Sequence, residues 1–173
     1  MKITKVLMLF GGLLVAMSAF ATPDDCKSVK GRLTSNVVEC DGLLCSEGRF
    51  RGNLRGRFTF VASTLVPFGL AVTDPDAPAD VFASTGVITI DTKFCRGNLV
   101  LKDTSAFAVS SVTGDGDLGF ASLETVDGIN STGKCEGATG RVRIQGIFNN
   151  GCVDCKYEGL ICGVKRSKDE DDD

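Results

Sequence analysis

The sequence predicts an all-β protein, an antiparallel closed barrel of about eight strands stapled by disulfides. Three observations predict it. Period-two alternation recurs along the chain while helical periodicity is nearly absent. Glycine and aspartate punctuate the alternating runs, and glycines fall on their apolar faces, where they relieve crowding in bent strands. Eight cysteines follow an apolar N-terminal segment.

That segment comes first. Lys2 and Lys5 precede an apolar run from Val6 to Ala16, and Ala19-Phe20-Ala21 fits the small-x-small pattern of signal cleavage. The run meets Pro23, Asp24 and Asp25, too soon to span about 30 Å of bilayer. No cysteine stands at the cleavage point to carry a lipid. Residues 1–21 therefore read as a signal peptide, 22–164 as one barrel domain, and 165–173 as a charged, disordered tail ending in DEDDD. No second hydrophobic segment predicts a membrane span. A net charge of −3 gives no general attraction to nucleic acid.

The strands follow in order. RGNLRGRFTF (51–60) reads as one strand with Leu54, Gly56, Phe58 and Phe60 on one face and Arg55, Arg57 and Thr59 on the other. GVITI, NLVLKDTSAF, FASLETV, RVRIQGIF and YEGLICGV read as further strands. TDPDAPAD, with two prolines, reads as a loop, and SVTGDGDLG as a hairpin turn. RFRGNLRGRFTF and KFCRGNLVLKDTSAF echo each other, each entering a strand through glycine, but at no fixed repeat period. The stretch TGKCEGATGRVRIQG (132–146) reads as a strand corner. A phosphate cradle would need G-x-x-x-x-G-K-[ST] between a strand and a helix, and this stretch has neither.

An even cysteine count in an exported chain points to disulfides. A zinc site at Cys152-x-x-Cys155 would need more ligands, and the chain has no histidine. A redox role for that pair would want a helix N-terminus, whereas NNGCVDCKYEG reads as a turn. Closing the first strand on the last pairs Cys26 with Cys162. Cys40 and Cys45 flank a turn, Cys95 and Cys135 open strands at glycine corners, and Cys152 with Cys155 remains as a local clasp. This is one choice among about 105 pairings.

The ordered stretches FRGNLRGRFTF, GVITIDT, GNLVLKDT, GKCEGATGRVRIQGIF and YEGLIC together resemble the small secreted bacterial proteins with an allene-oxide-cyclase-like, or dirigent-like, barrel. The resemblance covers roughly Gly48 to Cys162. Lys134 and Cys135 stand where that group usually has Arg-Phe, which implies that a disulfide replaces an aromatic plug. The resemblance implies an eight-stranded barrel with an apolar interior, and a homotrimer as in the plant relatives. It does not carry over the plant chemistry, because fold does not fix function.

The chemical candidates are few. Without histidine, the Ser-His-Asp and Cys-His arrangements and the usual metal sites are absent. Neither metal nor organic cofactor is expected. Ser131-x-x-Lys134 matches a serine–lysine motif, but in a turn rather than at a helix start. Asn130-Ser131-Thr132 is a glycosylation sequon for a suitable host. Asp115-Gly116-Asp117 reads as a turn before a calcium site. Asp103 shares strand parity with Leu99, Leu101, Ser105 and Phe107, which would send it inward and raise its pKa for acid–base work. The reading preferred here is structural, either a bulge after Lys102 that turns Asp103 outward or a hydrogen bond at the barrel end. Glu124, in parity with Phe120 and Ser122, ranks below it. Arg55, Arg57, Arg141 and Arg143 fall on polar faces as a candidate basic patch.

Two functions remain. The first is a secreted or periplasmic binding or envelope interaction module without catalysis, its interior filled by Phe58, Phe60, Ile144 and Phe148, with a small apolar molecule as one partner class. The alternative is a cofactor-free isomerase or cyclase for a reactive apolar molecule.

Overall fold

The structure is a computed structural model that describes residues 25–68, 81–109, 118–152 and 154–165. The signal segment, TDPDAPAD, Asp115-Gly116-Asp117 and the acidic tail lie outside the described residues. Eight antiparallel strands close into one barrel in sequence order. They are β1 (Cys26–Val38), β2 (Cys45–Gly52), β3 (Gly56–Phe68), β4 (Val81–Thr92), β5 (Gly97–Val109), β6 (Leu118–Val126), β7 (Thr139–Phe148) and β8 (Cys155–Cys162). Each pairs with its chain neighbours, and β1 closes on β8 with Cys26 opposite Cys162. Closure leaves no unpaired sheet edge. Among the described residues no helix is long and apolar enough to cross a membrane.

The predicted strand 51–60 is two strands. β2 ends at Gly52, whose φ of +101° reverses the chain, and β3 starts at Gly56. Alternation misled because Leu54 in the turn is still fully buried, plugging the barrel end in phase with Phe58. Tyr157 fastens that turn, accepting a hydrogen bond from Leu54 N at 2.9 Å and donating one to the Arg51 carbonyl at 3.0 Å. β1 and the first half of β2 are strands that the sequence reading passed over.

The two ends of the barrel differ. At the lower end, where β1 begins and β8 finishes, the connection from β6 to β7 folds across the opening. Lys134 N donates to the Cys95 carbonyl and Thr132 N to that of Asn98, both at 2.8 Å. Cys135 lies in a short 3-10 turn, Gly133–Cys135, rather than opening a strand, and is bonded to Cys95. Gly133 and Gly137 have φ of +65° and +79°, so residues 132–138 form the corner leading into β7, which takes up the rest of the stretch 132–146. The cysteines pair as Cys26–Cys162, Cys40–Cys45, Cys95–Cys135 and Cys152–Cys155. Two of these disulfides serve the lower end and two clasp turns at the upper end.

The inward positions of β5 run Leu99, Leu101, Asp103, Ser105, Phe107 from bottom to top, and those of β6 run Val126, Glu124, Ser122, Phe120. Both strands therefore write the same three layers: an apolar base, a polar belt and an aromatic lid. On β4 the order is Ile90, Ile88, Gly86, Ser84, Phe82.

Candidate functional site

Among the described residues, the polar belt is the one place where the barrel interior holds ionisable groups together. Asp103 and Glu124 are register partners on β5 and β6, both directed inward, with Glu124 fully buried and Asp103 4% exposed. The register of β5 with both neighbours is continuous through Asp103. No bulge turns it outward, because Asp103 has a partner inside that offsets the cost of burial. Glu124, ranked lower from sequence, is the more deeply buried of the two. Parity pointed to each residue separately but could not show that β5 and β6 align them.

Serines complete the belt. Ser105 Oγ donates to Asp103 Oδ2 at 2.9 Å, and Ser122 Oγ to Glu124 Oε1 at 2.6 Å. Ser84 Oγ lies 2.6 Å from Ser105 Oγ. A hydroxyl has one proton, and that of Ser105 goes to Asp103, so Ser84 is the donor in that contact. The network runs from Ser84 through Ser105 to Asp103, on to Glu124 and back to Ser122.

Glu124 Oε2 meets no donor among the described residues. Asp103 stands beside it in register, and two ionised carboxylates have no proton with which to bond each other. One proton held between the two carboxyls satisfies both. Burial, reinforced by the neighbouring Asp103 charge, pushes Glu124 up to about 10. Burial also raises Asp103, against the lowering effect of its hydrogen bonds to Glu124 and Ser105. The pair is a proton-holding dyad at neutral pH.

Above it lie the aromatic residues. Phe107 packs against Phe120 and Phe148 with ring centroids 5.0 and 5.2 Å apart. The space left beside Asp103 and Ser105, among Phe58, Phe60, Phe107, Phe120, Ile144 and Phe148, is a cavity of about 40 Å³. A few water molecules at about 15 Å³ each would fill it. Ligand pockets typically take about 300–1,000 Å³. The dyad can hold and pass a proton, but among the described residues no substrate-sized chamber opens onto it.

The other candidates resolve differently. Ser131 Oγ donates to the Asp127 carbonyl at 2.8 Å and accepts from Val100 N at 2.9 Å, so its hydroxyl is committed to the backbone. Asn130 is exposed, and its amide bonds Asp127 at 2.8 Å. Among the described residues, no three or more acidic or cysteine side chains gather around a position for a metal ion. Arg55 and Arg57 line one outer groove on β2 to β5, while Arg141 and Arg143 sit on β7, with Arg143 opposite Glu158. The four do not form one patch.

Fold and site together define a closed, eight-stranded, disulfide-stapled barrel with a buried carboxyl pair. Comparison of the chain with protein families, with characterised proteins and with solved structures finds no match.

Proposed function

We propose that the protein is an exported β-barrel that works by binding rather than by catalysis, in a secreted or periplasmic setting. The observation that supports this most is the filled interior. About 40 Å³ beside the dyad is far below what a small-molecule substrate needs, so contacts fall to the rim or the outer face. Four disulfides among the described residues fit an oxidising compartment. The resemblance to allene-oxide-cyclase-like barrels supports the same architecture without bringing the plant chemistry, and self-association as a trimer comes from that resemblance alone.

One observation favours a second reading, a cofactor-free isomerase or cyclase. The dyad places an acid and a base under a phenylalanine lid, as proton transfer to an apolar substrate would require. It needs Phe107, Phe120 and Phe148 to move aside. A fatty-acid epoxide offered to the wild type, Asp103→Asn and Glu124→Gln tests the choice, with near-ultraviolet circular dichroism checking each fold. The expected result is no turnover by any of the three. Turnover by the wild type that vanishes in a folded Glu124→Gln variant would replace the binding reading with the cyclase.

A further inference from the structure

The outer surface concentrates positive charge where the chain as a whole is acidic. An open groove of about 960 Å³ on the lower outer face is lined by Arg49, Arg51, Arg55, Arg57, Lys93 and Arg96, with Asp91 as its one carboxylate. The net charge of the full chain is −3. All six basic residues are exposed. Arg49 and Arg57 stand directly opposite each other across β2 and β3, an arrangement of like charges that weakens a sheet. Asp91 is the partner of Arg57 on the other side. The salt bridges among the described residues, Lys102–Asp127 and Lys165–Glu136, lie outside the groove. Among the described residues the six cations have no salt-bridge partner.

The backbone that carries them is held in place. Tyr157 fixes the Arg51 carbonyl, and the β2–β3 and β4–β5 turns are joined by Lys93 N to the Arg55 carbonyl at 3.3 Å and Thr92 Oγ1 to the same oxygen at 3.2 Å. Arg96 follows the disulfide-bonded Cys95 and has φ of +49°, a left-handed conformation that a non-glycine residue adopts at a cost. A cross-strand charge clash and a strained arginine thus persist side by side on a preorganised rim.

We infer that this groove binds a segment of an acidic polysaccharide bearing sulfate or phosphate esters. Five of the six cations are arginines, whose planar forks grip oxyanions in pairs. At about 960 Å³ and with six cations along it, the groove offers more room and more charge than one small anion would use. Among the described residues the one aromatic that lines it is Phe50, which is buried, so the groove lining offers no exposed ring for bases to stack on. That favours a glycan over single-stranded nucleic acid.

The inference rests on the binding reading only in placing contacts on the outer face, and the two fail separately. Turnover of the epoxide would remove the non-catalytic reading and leave the groove untouched, whereas the groove is tested by equilibrium binding of fluorescent dextran sulfate and dextran phosphate. Wild-type protein should bind both esters, with affinity falling steeply as salt rises from about 50 to about 200 mM. Uncharged dextran should not bind. Arg49→Thr with Arg57→Thr should weaken binding by about tenfold or more, and Arg141→Thr with Arg143→Thr by less than about twofold. Arg96→Gly removes a cation while relaxing the backbone, so it should stay folded and still bind several-fold more weakly. The inference is overturned if neither ester binds, if the groove variants bind like the wild type, or if a DNA oligonucleotide, single-stranded or duplex, binds more tightly than the esters. A preference between the two esters identifies the substituent.

Discussion

The lower and upper halves of the barrel are built from the same strands and stabilised in different ways. Below, Val29, Leu54, Ile90, Leu99, Leu101 and Ile161 are fully buried, and the disulfides Cys26–Cys162 and Cys95–Cys135 join residues 136 and 40 apart. Above, serines and carboxyls occupy the inward positions under a phenylalanine lid, and Cys40–Cys45 and Cys152–Cys155 join residues 5 and 3 apart. One half takes its stability from apolar burial and long-range cross-links. The other gives up part of that burial to a hydrogen-bonded polar network with only local clasps. The lower half rests on non-directional apolar burial, while the upper half depends on the directional hydrogen bonds of its belt being made.

The largest expected effect tests the cross-links. Cys26→Ser with Cys162→Ser frees a loop of 136 residues, for which chain entropy gives a loss of about 5 kcal/mol. Cys152→Ser with Cys155→Ser frees 3, for about 1.5 kcal/mol. Denaturant unfolding of the two oxidised variants measures both. Equal losses would break the contrast between the halves.

Next come the cores. Leu99→Ala in the apolar base should cost about 2–5 kcal/mol, the range for a fully buried leucine. Tyr157→Phe should cost about 1–3 kcal/mol, because Leu54 N and the Arg51 carbonyl lose their shared partner without any loss of ring packing against Phe50. Hydrogen exchange should show the Leu54 amide opening first in that variant. Unchanged protection there would mean that the turn holds without the tyrosine.

Much of this architecture was legible in the sequence, for a physical reason. Strand alternation reports burial directly, and the seam between Cys26 and Cys162 follows once a barrel must close first strand on last. The dyad was half legible. Residues 99–107 and 120–126 spell the same layers in opposite directions, and reading them against each other aligns Asp103 with Glu124. Alternation on one strand carries no register, so the two carboxylates looked unrelated. The groove was hidden for a similar reason. Arg49 and Arg51 flank the buried Phe50 on β2, and the turn at Gly52 that sets them beside Arg55 and Arg57 was read as strand. Lys93 and Arg96 arrive from a turn distant in sequence.

The dyad gives the third effect, and its sign can be worked out. Folding raises the affinity of the pair for a proton, chiefly by burial. Below the ordinary carboxyl range, folded and unfolded chains both hold the proton and nothing is lost. As pH rises from about 4.5 the unfolded chain releases it while the folded one keeps it, so stability falls. For Glu124 the fall continues toward about 10. Glu124→Gln keeps a donor for Asp103 and removes the titration of Glu124, leaving only that of Asp103, so its stability between about pH 5 and 9 should be flatter than that of the wild type. If the two curves run parallel, the proton is not held by this pair.

The smallest effect concerns the outside of the lower half, where the logic of its interior is reversed. Arg49 faces Arg57 on β3 and Thr34 on β1. Replacing it by threonine removes a repulsion directly across the ladder, supplies a β-branched residue suited to a strand, and sets a hydroxyl residue opposite Thr34. Each change favours the sheet, so Arg49→Thr should raise stability by about 0.2–1 kcal/mol. Because Arg49 is exposed, the gain should shrink as salt screens the pair, and a measurement at low and at high ionic strength separates charge from strand propensity. A gain that persists unchanged in high salt would assign it to propensity alone. A loss would mean that Arg49 is held by the fold itself, and the groove would no longer stand as a surface kept at the expense of stability.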